Sequence, residues 1–370
     1  MGANKLFKIV VGLCVLLTNG CAKEPEESSS TSDSRYLYVA SGVCYSGNNT
    51  TFSNTTSSNL IYRLSLETGA VDSTIADYFS SPSNTGDSPA SIVDGDSNYL
   101  YALIENTTTT SLRRIEKIEK RSNGARSIFS NNTTALSAQL RHLLKLSNGD
   151  FAVSKSTGVE YLTSGNVRLG APYINATAAP CNTSTTLIPK VLTLSNGKFV
   201  FLHAAAAQNR FGIFATTGGT TCSAAQAAPN ANAFPTAAFY DSTNAKLFVA
   251  YAGNAVTTDL NSIYMYSIDE STNAISGATK IYDASLYPGT YSYLLYGVSE
   301  MVYDAATSSV YIATATTTAT TVVNYAIEKF TYDPTQIGVD ATKILVRSGT
   351  TPFFEYGSDT KCISKMFIGN

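Results

Sequence analysis

Few side chains in this chain have the chemistry to act together as acid, base or nucleophile. Only two histidines occur, His142 and His203. His203 sits inside the apolar run Phe201-Leu202-His203-Ala204, where a packed histidine is the expectation. His142 follows Arg141 at the head of another apolar run. Lys190, Glu300 and Lys361 hold similar places, directly before Val191-Leu192, Met301-Val302 and Cys362-Ile363. If the fold gathers these heads at one rim, Arg141, His142, Lys190, Glu300 and Lys361 would face a shared ligand; otherwise they are ordinary solvated residues. No motif speaks for catalysis. The chain has no GxGxxG or GxxxxGK(S/T) phosphate loop, no HExxH zinc helix and no GxSxG nucleophile elbow.

Two further stretches have types and spacing worth weighing. Asp94-Gly95-Asp96-Ser97-Asn98 carries carboxylates at alternate positions, with Glu105 farther on, as calcium loops do. Tyr99, however, stands where such a loop needs glycine, and Tyr99 to Ile104 reads as strand. A hairpin turn is the better reading, and no metal or cofactor is expected. Tyr282, Tyr287, Tyr291, Tyr293 and Tyr296 surround Pro288-Gly289. Tyrosine offers large contact area with little entropy to lose, so Tyr287, Tyr291 and Tyr293 are candidates for a recognition loop. Alternate tyrosines packing one strand face would give the same pattern.

The elements that must position these residues are visible as a repeat. Met301 to Ala315, MVYDAATSSVYIATA, reads as strand, polar turn, strand. Similar hairpins occur at 91–105, 142–156, 191–205 and 237–251. The second strands give register marks at Leu37, Leu100, Phe151, Phe199, Leu247 and Val310, which lie 63, 51, 48, 48 and 63 positions apart. A third alternating strand follows most marks, for example at Leu60 to Leu64 and Ile263 to Ile268. A fourth is visible twice, at Lys280-Ile281-Tyr282 and Lys343 to Val346. Hydrophobic residues make up 44% and charged residues 14% of the 370 positions, enough for a sizeable core. The abundance of Thr, Ser, Asn and Tyr suits strands and turns.

Four short strands per repeat resemble the β-propeller family, although no WD dipeptide or kelch double glycine marks the blades. The expected fold class is all-β: six four-stranded blades, with seven blades or a pair of β-sandwiches as alternatives. The first cycle begins at its second strand, Tyr36 to Ala40, and Cys362 to Ile368 reads as a first strand with nothing after it. Pairing the two termini would complete one blade and remove two exposed edges. In such a ring first strands line the channel, which would set Arg141, His142, Lys190, Glu300 and Lys361 at its mouth. Closure also brings Cys44 near Cys362, leaving Cys181 to pair with Cys222. None of these four cysteines is at CxxC spacing, so disulfides are preferred over a metal site.

The N-terminus is an address. Lys5 and Lys8 precede an apolar run from Ile9 to Leu17, the layout of a secretory signal segment. Gly20-Cys21 at its end resembles a bacterial lipoprotein processing site in a relaxed form, with Leu17, Thr18 and Asn19 before it. That resemblance implies cleavage before Cys21, lipidation (palmitate included) of Cys21, and membrane attachment through the lipid. Residues 22–34 then form a polar tether. Ala22, where retained lipoproteins carry Asp, favours the outer membrane or cell surface of the bacterial envelope. The expected organisation is residues 1–20 signal peptide, 21–34 lipidated cysteine and tether, 35–370 propeller. The net charge of −2 offers no basic stripe for nucleic acid. The function expected is a monomeric binding protein for a protein or small-molecule ligand, the alternative being a lactonase-like hydrolase or lyase at the channel mouth.

Overall fold

Six antiparallel sheets follow one another along the chain, and each is a blade. The computed structural model describes residues 35–45, 52–54, 59–78, 86–106, 108–169, 174, 177, 179–182, 188–204, 210–214, 221–230, 233–252, 262–283, 296–318, 321–356 and 362–370. Blade 1 opens with β1 (Tyr36–Ser41). A small hairpin, β2 (Val43–Tyr45) with β3 (Phe52–Asn54), interrupts it before β4 (Leu60–Ser65) and β5 (Val71–Asp77). Blade 2 is β6 (Asp87–Asp94), β7 (Tyr99–Asn106), β8 (Arg114–Glu119) and β9 (Arg126–Ser130). Blade 3 is β10 (Leu140–Lys145), β11 (Phe151–Lys155) and β12 (Gly158–Leu162). Blade 4 is β13 (Lys190–Thr193), β14 (Phe199–His203), β15 (Arg210–Phe214) and β16 (Cys222–Ala227).

Blade 5 is β17 (Phe234–Asp241), β18 (Lys246–Ala252), β19 (Ser262–Asp269) and β20 (Ala274–Asp283). Blade 6 is β21 (Tyr296–Asp304), β22 (Ser309–Thr318), β23 (Thr321–Tyr332) and β24 (Leu345–Arg347), with β25 (Phe354–Glu355) also on β23. The last strand, β26 (Ile363–Gly369), returns to blade 1 and pairs with β1, Tyr36 opposite Gly369 and Val39 opposite Met366. The six-bladed ring closed by its two termini is therefore as the repeats implied. All six register marks lie in second strands.

The ring holds because each second strand divides its side chains between two seams. On β14, Phe199 and Phe201 pack toward blade 3 while Val200 and Leu202 pack toward blade 5. On β1, Leu37 and Val39 face blade 6 while Tyr38 and Ala40 face blade 2. This is the period of two that a pleated strand imposes, used on both faces. Six apolar clusters result, one per seam. The innermost strands β26, β6, β10, β13, β17 and β21 neighbour one another in that order around the axis, and β21 meets β26.

The hairpin turns are set by short polar side chains that accept from the backbone two and three residues on. Asp304 accepts from Ala306 N at 3.2 Å and from the Thr307 hydroxyl at 2.7 Å. Asp96 accepts from Asn98 N at 2.8 Å and Tyr99 N at 3.0 Å, so the 94–98 stretch is a turn, as read. Cys181 is bonded to Cys222, with Cα atoms 5.8 Å apart. Cys362 also lies in a disulfide. The side chain of its expected partner, Cys44, is outside the described residues.

The outer strands differ from expectation. β5, β9 and β16 exist without the apolar alternation that would reveal them. Lys343, read as part of a strand, lies instead in a 3-10 turn over Ala341–Lys343 whose N-cap, Asp340, accepts from Thr342 N. That capping bond competes with strand pairing and leaves β24 only three residues.

Candidate functional site

Charged residues of the inner strands converge on the ring axis, Lys190 from a strand head as read and Glu300 from the middle of β21, which begins earlier, at Tyr296. β10 delivers Arg141 and His142, β13 delivers Lys190, and β21 delivers Glu300 at the irregular register that separates its Tyr296 and Glu300 pairings. β26 adds Lys365, one residue past the shift between Ala40 and Ser41 on its partner. Bulges of this kind re-aim side chains, which is how charged groups leave the apolar seams for the axis.

Glu300 is the hub. Its Oε1 is in direct contact with Lys190 Nζ and accepts from Met301 N at 2.9 Å. Its Oε2 lies 3.5 Å from Lys365 Nζ. His142 Nδ1 accepts from Val191 N at 3.4 Å, so the ring proton sits on Nε2. Neighbouring inner strands are tied by Leu143 N to Ser91 Oγ at 3.1 Å and by Ser364 Oγ to Pro89 O at 3.0 Å. All five charged or titratable side chains are buried, from 2% exposure at Glu300 to 8% at Lys190. The alternative of solvated channel residues is corrected here: these are desolvated groups packed on one another.

Burial sets the protonation of the cluster. It pushes His142 well below its usual value, and the nearby Lys365 and Lys190 push it further, so the imidazole is neutral. Burial also lowers Lys365 to about 8; contact with Glu300 opposes the shift, whereas Lys190 and Arg141 add to it. The consequence for stability has a definite sign. Between the folded value near 8 and the unfolded value of 10.5 the unfolded chain binds more protons, so stability rises with pH across that window. The slope approaches ~1.4 kcal/mol per pH unit. Buried tyrosines such as Tyr62, Tyr78 and Tyr251 titrate well above 10 and oppose the gain beyond that point. Urea midpoints are therefore expected to rise from about pH 8 to about pH 10 in the native chain and to stay level in Lys365→Met. A native profile as flat as the variant's would refute the assignment.

The structure brings together Arg141, His142, Lys190 and Glu300, four of the five rim residues the sequence pointed to. Lys361, Tyr287, Tyr291 and Tyr293 lie outside the described residues. Tyr282 is buried in the seam between blades 5 and 6 and takes no part in a recognition loop. His203 is fully buried in β14, as read. Lys365 was missed. The available signal was a lysine inside a run of apolar inner-strand residues, between Ile363 and Met366. Among the described residues no group of three or more His, Cys, Asp or Glu could hold a metal ion.

A separate cavity of about 290 Å³ lies away from the axis, lined by Ser97, Asn98, Tyr99, Glu119, Lys120 and Arg121. Its buried cation is already used: Lys120 Nζ is 2.6 Å from Asp94 Oδ1 and lies over the stacked rings of Tyr38 and Phe367. That wall belongs to the ring closure, so the axial cluster is the stronger candidate.

No family model matches the sequence, and no curated protein matches it. Solved structures do resemble the fold. A structure from the nidogen/laminin complex aligns with a TM-score of 0.54 at 10% identity, covering 91% of this chain and 98% of that one. A protein of unknown function from Bacteroides caccae gives 0.51 at 9% identity, with 90% and 99% covered. A candidate 6-phosphogluconolactonase from Bacteroides uniformis gives 0.50 at 12% identity, with 85% and 82% covered. At such identities the similarity shows the propeller and nothing of the chemistry.

Proposed function

We propose that this chain is an exported, lipid-anchored β-propeller that binds a ligand at the axial end of its ring and does not turn it over. The observation that carries the reading is the state of Glu300. Both its oxygens are occupied by lysine ammonium groups, and one also by a backbone N–H. A general base needs a free lone pair directed at its substrate, and a general acid needs a partner that titrates near the working pH. In Glu300 the contacts with Lys190, Lys365 and Met301 N hold both oxygens toward the protein. His142 has its Nδ1 occupied and is held neutral by burial, so it lacks the second. Lys365, lowered to about 8, is committed to Glu300, and charge held in this way suits recognition.

The signal-like residues 1–20 and Gly20-Cys21 support export and anchoring at the bacterial envelope, with residues 22–34 as tether. Two measurements test the reading together. A fatty-acid label should enter the protein in a bacterial host and be lost in Cys21→Ser; labelling that persists in the variant would remove the anchor. Incubation with a panel of lactones should give no hydrolysis above the buffer rate. Hydrolysis abolished by Glu300→Gln would replace this reading with the hydrolase.

A further inference from the structure

The cavity of about 290 Å³ is walled by two turns, one at the head of β7 and one at the end of β8. Both are fixed by backbone hydrogen bonds. Tyr99 O accepts from Gly95 N and Asp96 N at 3.1 and 3.0 Å, and Asn98 O accepts from Lys120 N at 2.8 Å. Arg63 Nη1 donates to Lys120 O at 3.1 Å and ties the second turn to blade 1. Tyr99 and Glu119 are directly opposite in the β7–β8 register, which sets their side chains on one face of the sheet. Lys117 Nζ lies 3.9 Å from the centroid of the Tyr99 ring and steadies it. The charges of the lining cancel. Glu119 Oε2 is 2.5 Å from Arg121 Nε, and Lys120 is paired with Asp94. The side chains of Ser97, Asn98 and Tyr99 have no hydrogen-bond partner among the described residues. A hydroxyl, an amide, a phenol and a paired carboxylate and guanidinium therefore surround one preformed volume.

We propose that this cavity binds one ring of a neutral sugar, with Tyr99 as its aromatic wall and with Ser97, Asn98, Glu119 and Arg121 as partners for the sugar hydroxyls. The site is separate from the axial cluster and stands independently of what the axis binds. Size and charge set the ligand class. The volume lies close to the lower end of the roughly 300–1,000 Å³ usual for ligand sites, which suits a single ring. A lining without net charge gives an ionic ligand no counter-charge to offset its desolvation. A wholly apolar ligand would take water from the amide, the hydroxyls and the ion pair and return no hydrogen bond. A sugar ring avoids both costs, because it carries hydroxyls at its edge and C–H groups on its faces. The carboxylate accepts from such hydroxyls, the guanidinium donates to them, and the tyrosine combines an apolar body with a polar tip. Walls already held by backbone bonds have little freedom left to lose on binding.

The test is saturation-transfer NMR of the full chain with the methyl glycosides of glucose, galactose, mannose and N-acetylglucosamine, and with glucuronate as the charged comparison. At least one neutral glycoside should bind saturably. Its affinity should not change with sodium chloride, because no net charge is brought together. Tyr99→Ala should weaken the apparent Kd by about tenfold or more, equivalent to ~1.4 kcal/mol. Asn98→Ala and Arg121→Met should each weaken it by about threefold or more, the effect of one hydrogen bond. The Arg121 side chain is 72% exposed, so its replacement leaves the fold intact. Should Tyr99→Ala fail to fold, the other two variants carry the comparison. Saturable binding of a neutral glycoside, weakened in these variants, supports the proposal. No binding of any neutral glycoside, a preference for glucuronate, or equal affinity in the native chain and all variants overturns it. None of these results touches the axial reading, which only the lactone assay can remove.

Discussion

A chain shortened to end at Thr360, and so lacking β26, is expected to lose its cooperative thermal transition and to self-associate. β26 supplies the inner strand of blade 1 and pairs along β1 from Tyr36 to Ser41. Its Phe367 ring stacks on Tyr38 with centroids 4.8 Å apart, and Ile363 and Met366 are buried in the seam with blade 6. The strand also neighbours β6 and β21, so its removal opens the ring on both sides of blade 1. The loss should exceed about 5 kcal/mol, comparable with the whole stability of a domain. The exposed edge of β1 then becomes a template for another copy. Calorimetry and light scattering check both consequences. A peptide of residues 361–370 added in trans should restore a transition by taking the place of the missing strand. A cooperative melt at the native midpoint without that peptide would show that the ring does not depend on closure by β26.

The parts of this fold that were legible in the sequence are those where burial on two faces forces the pattern. Leu37-Tyr38-Val39 and Phe199-Val200-Phe201 are continuous apolar runs because alternate side chains enter different seams. β5, β9 and β16 gave no such signal. Their residues VDSTIAD, RSIFS and CSAAQA are mostly exposed or half-buried, so nothing selects for alternation. The site was legible in outline for a different reason. Charged residues at strand heads break an apolar run visibly, which is how Arg141, Lys190 and Glu300 stood out. Lys365 follows Ile363 and Ser364 inside β26, beside the shift in its register with β1 at Ala40 and Ser41. A register shift is a property of paired strands and leaves no mark on either alone.

Glu300→Ala is expected to destabilise the folded chain by ~3–5 kcal/mol, the cost of removing one member of a buried ion pair and leaving its partners uncompensated. Lys190 and Lys365 would both lose their contact with a carboxylate, and Arg141 would remain near them. The pairs themselves need not be net stabilising, since desolvation offsets much of their attraction. The comparison that isolates the electrostatics is a double-mutant cycle of Glu300→Ala with Lys190→Met. Removing both charges should recover part of the loss, with a coupling of ~1–3 kcal/mol between the two positions. Urea unfolding at neutral pH supplies all four corners of the cycle. A loss below ~1 kcal/mol in Glu300→Ala, the size typical of a surface ion pair, would mean that water reaches the cluster freely.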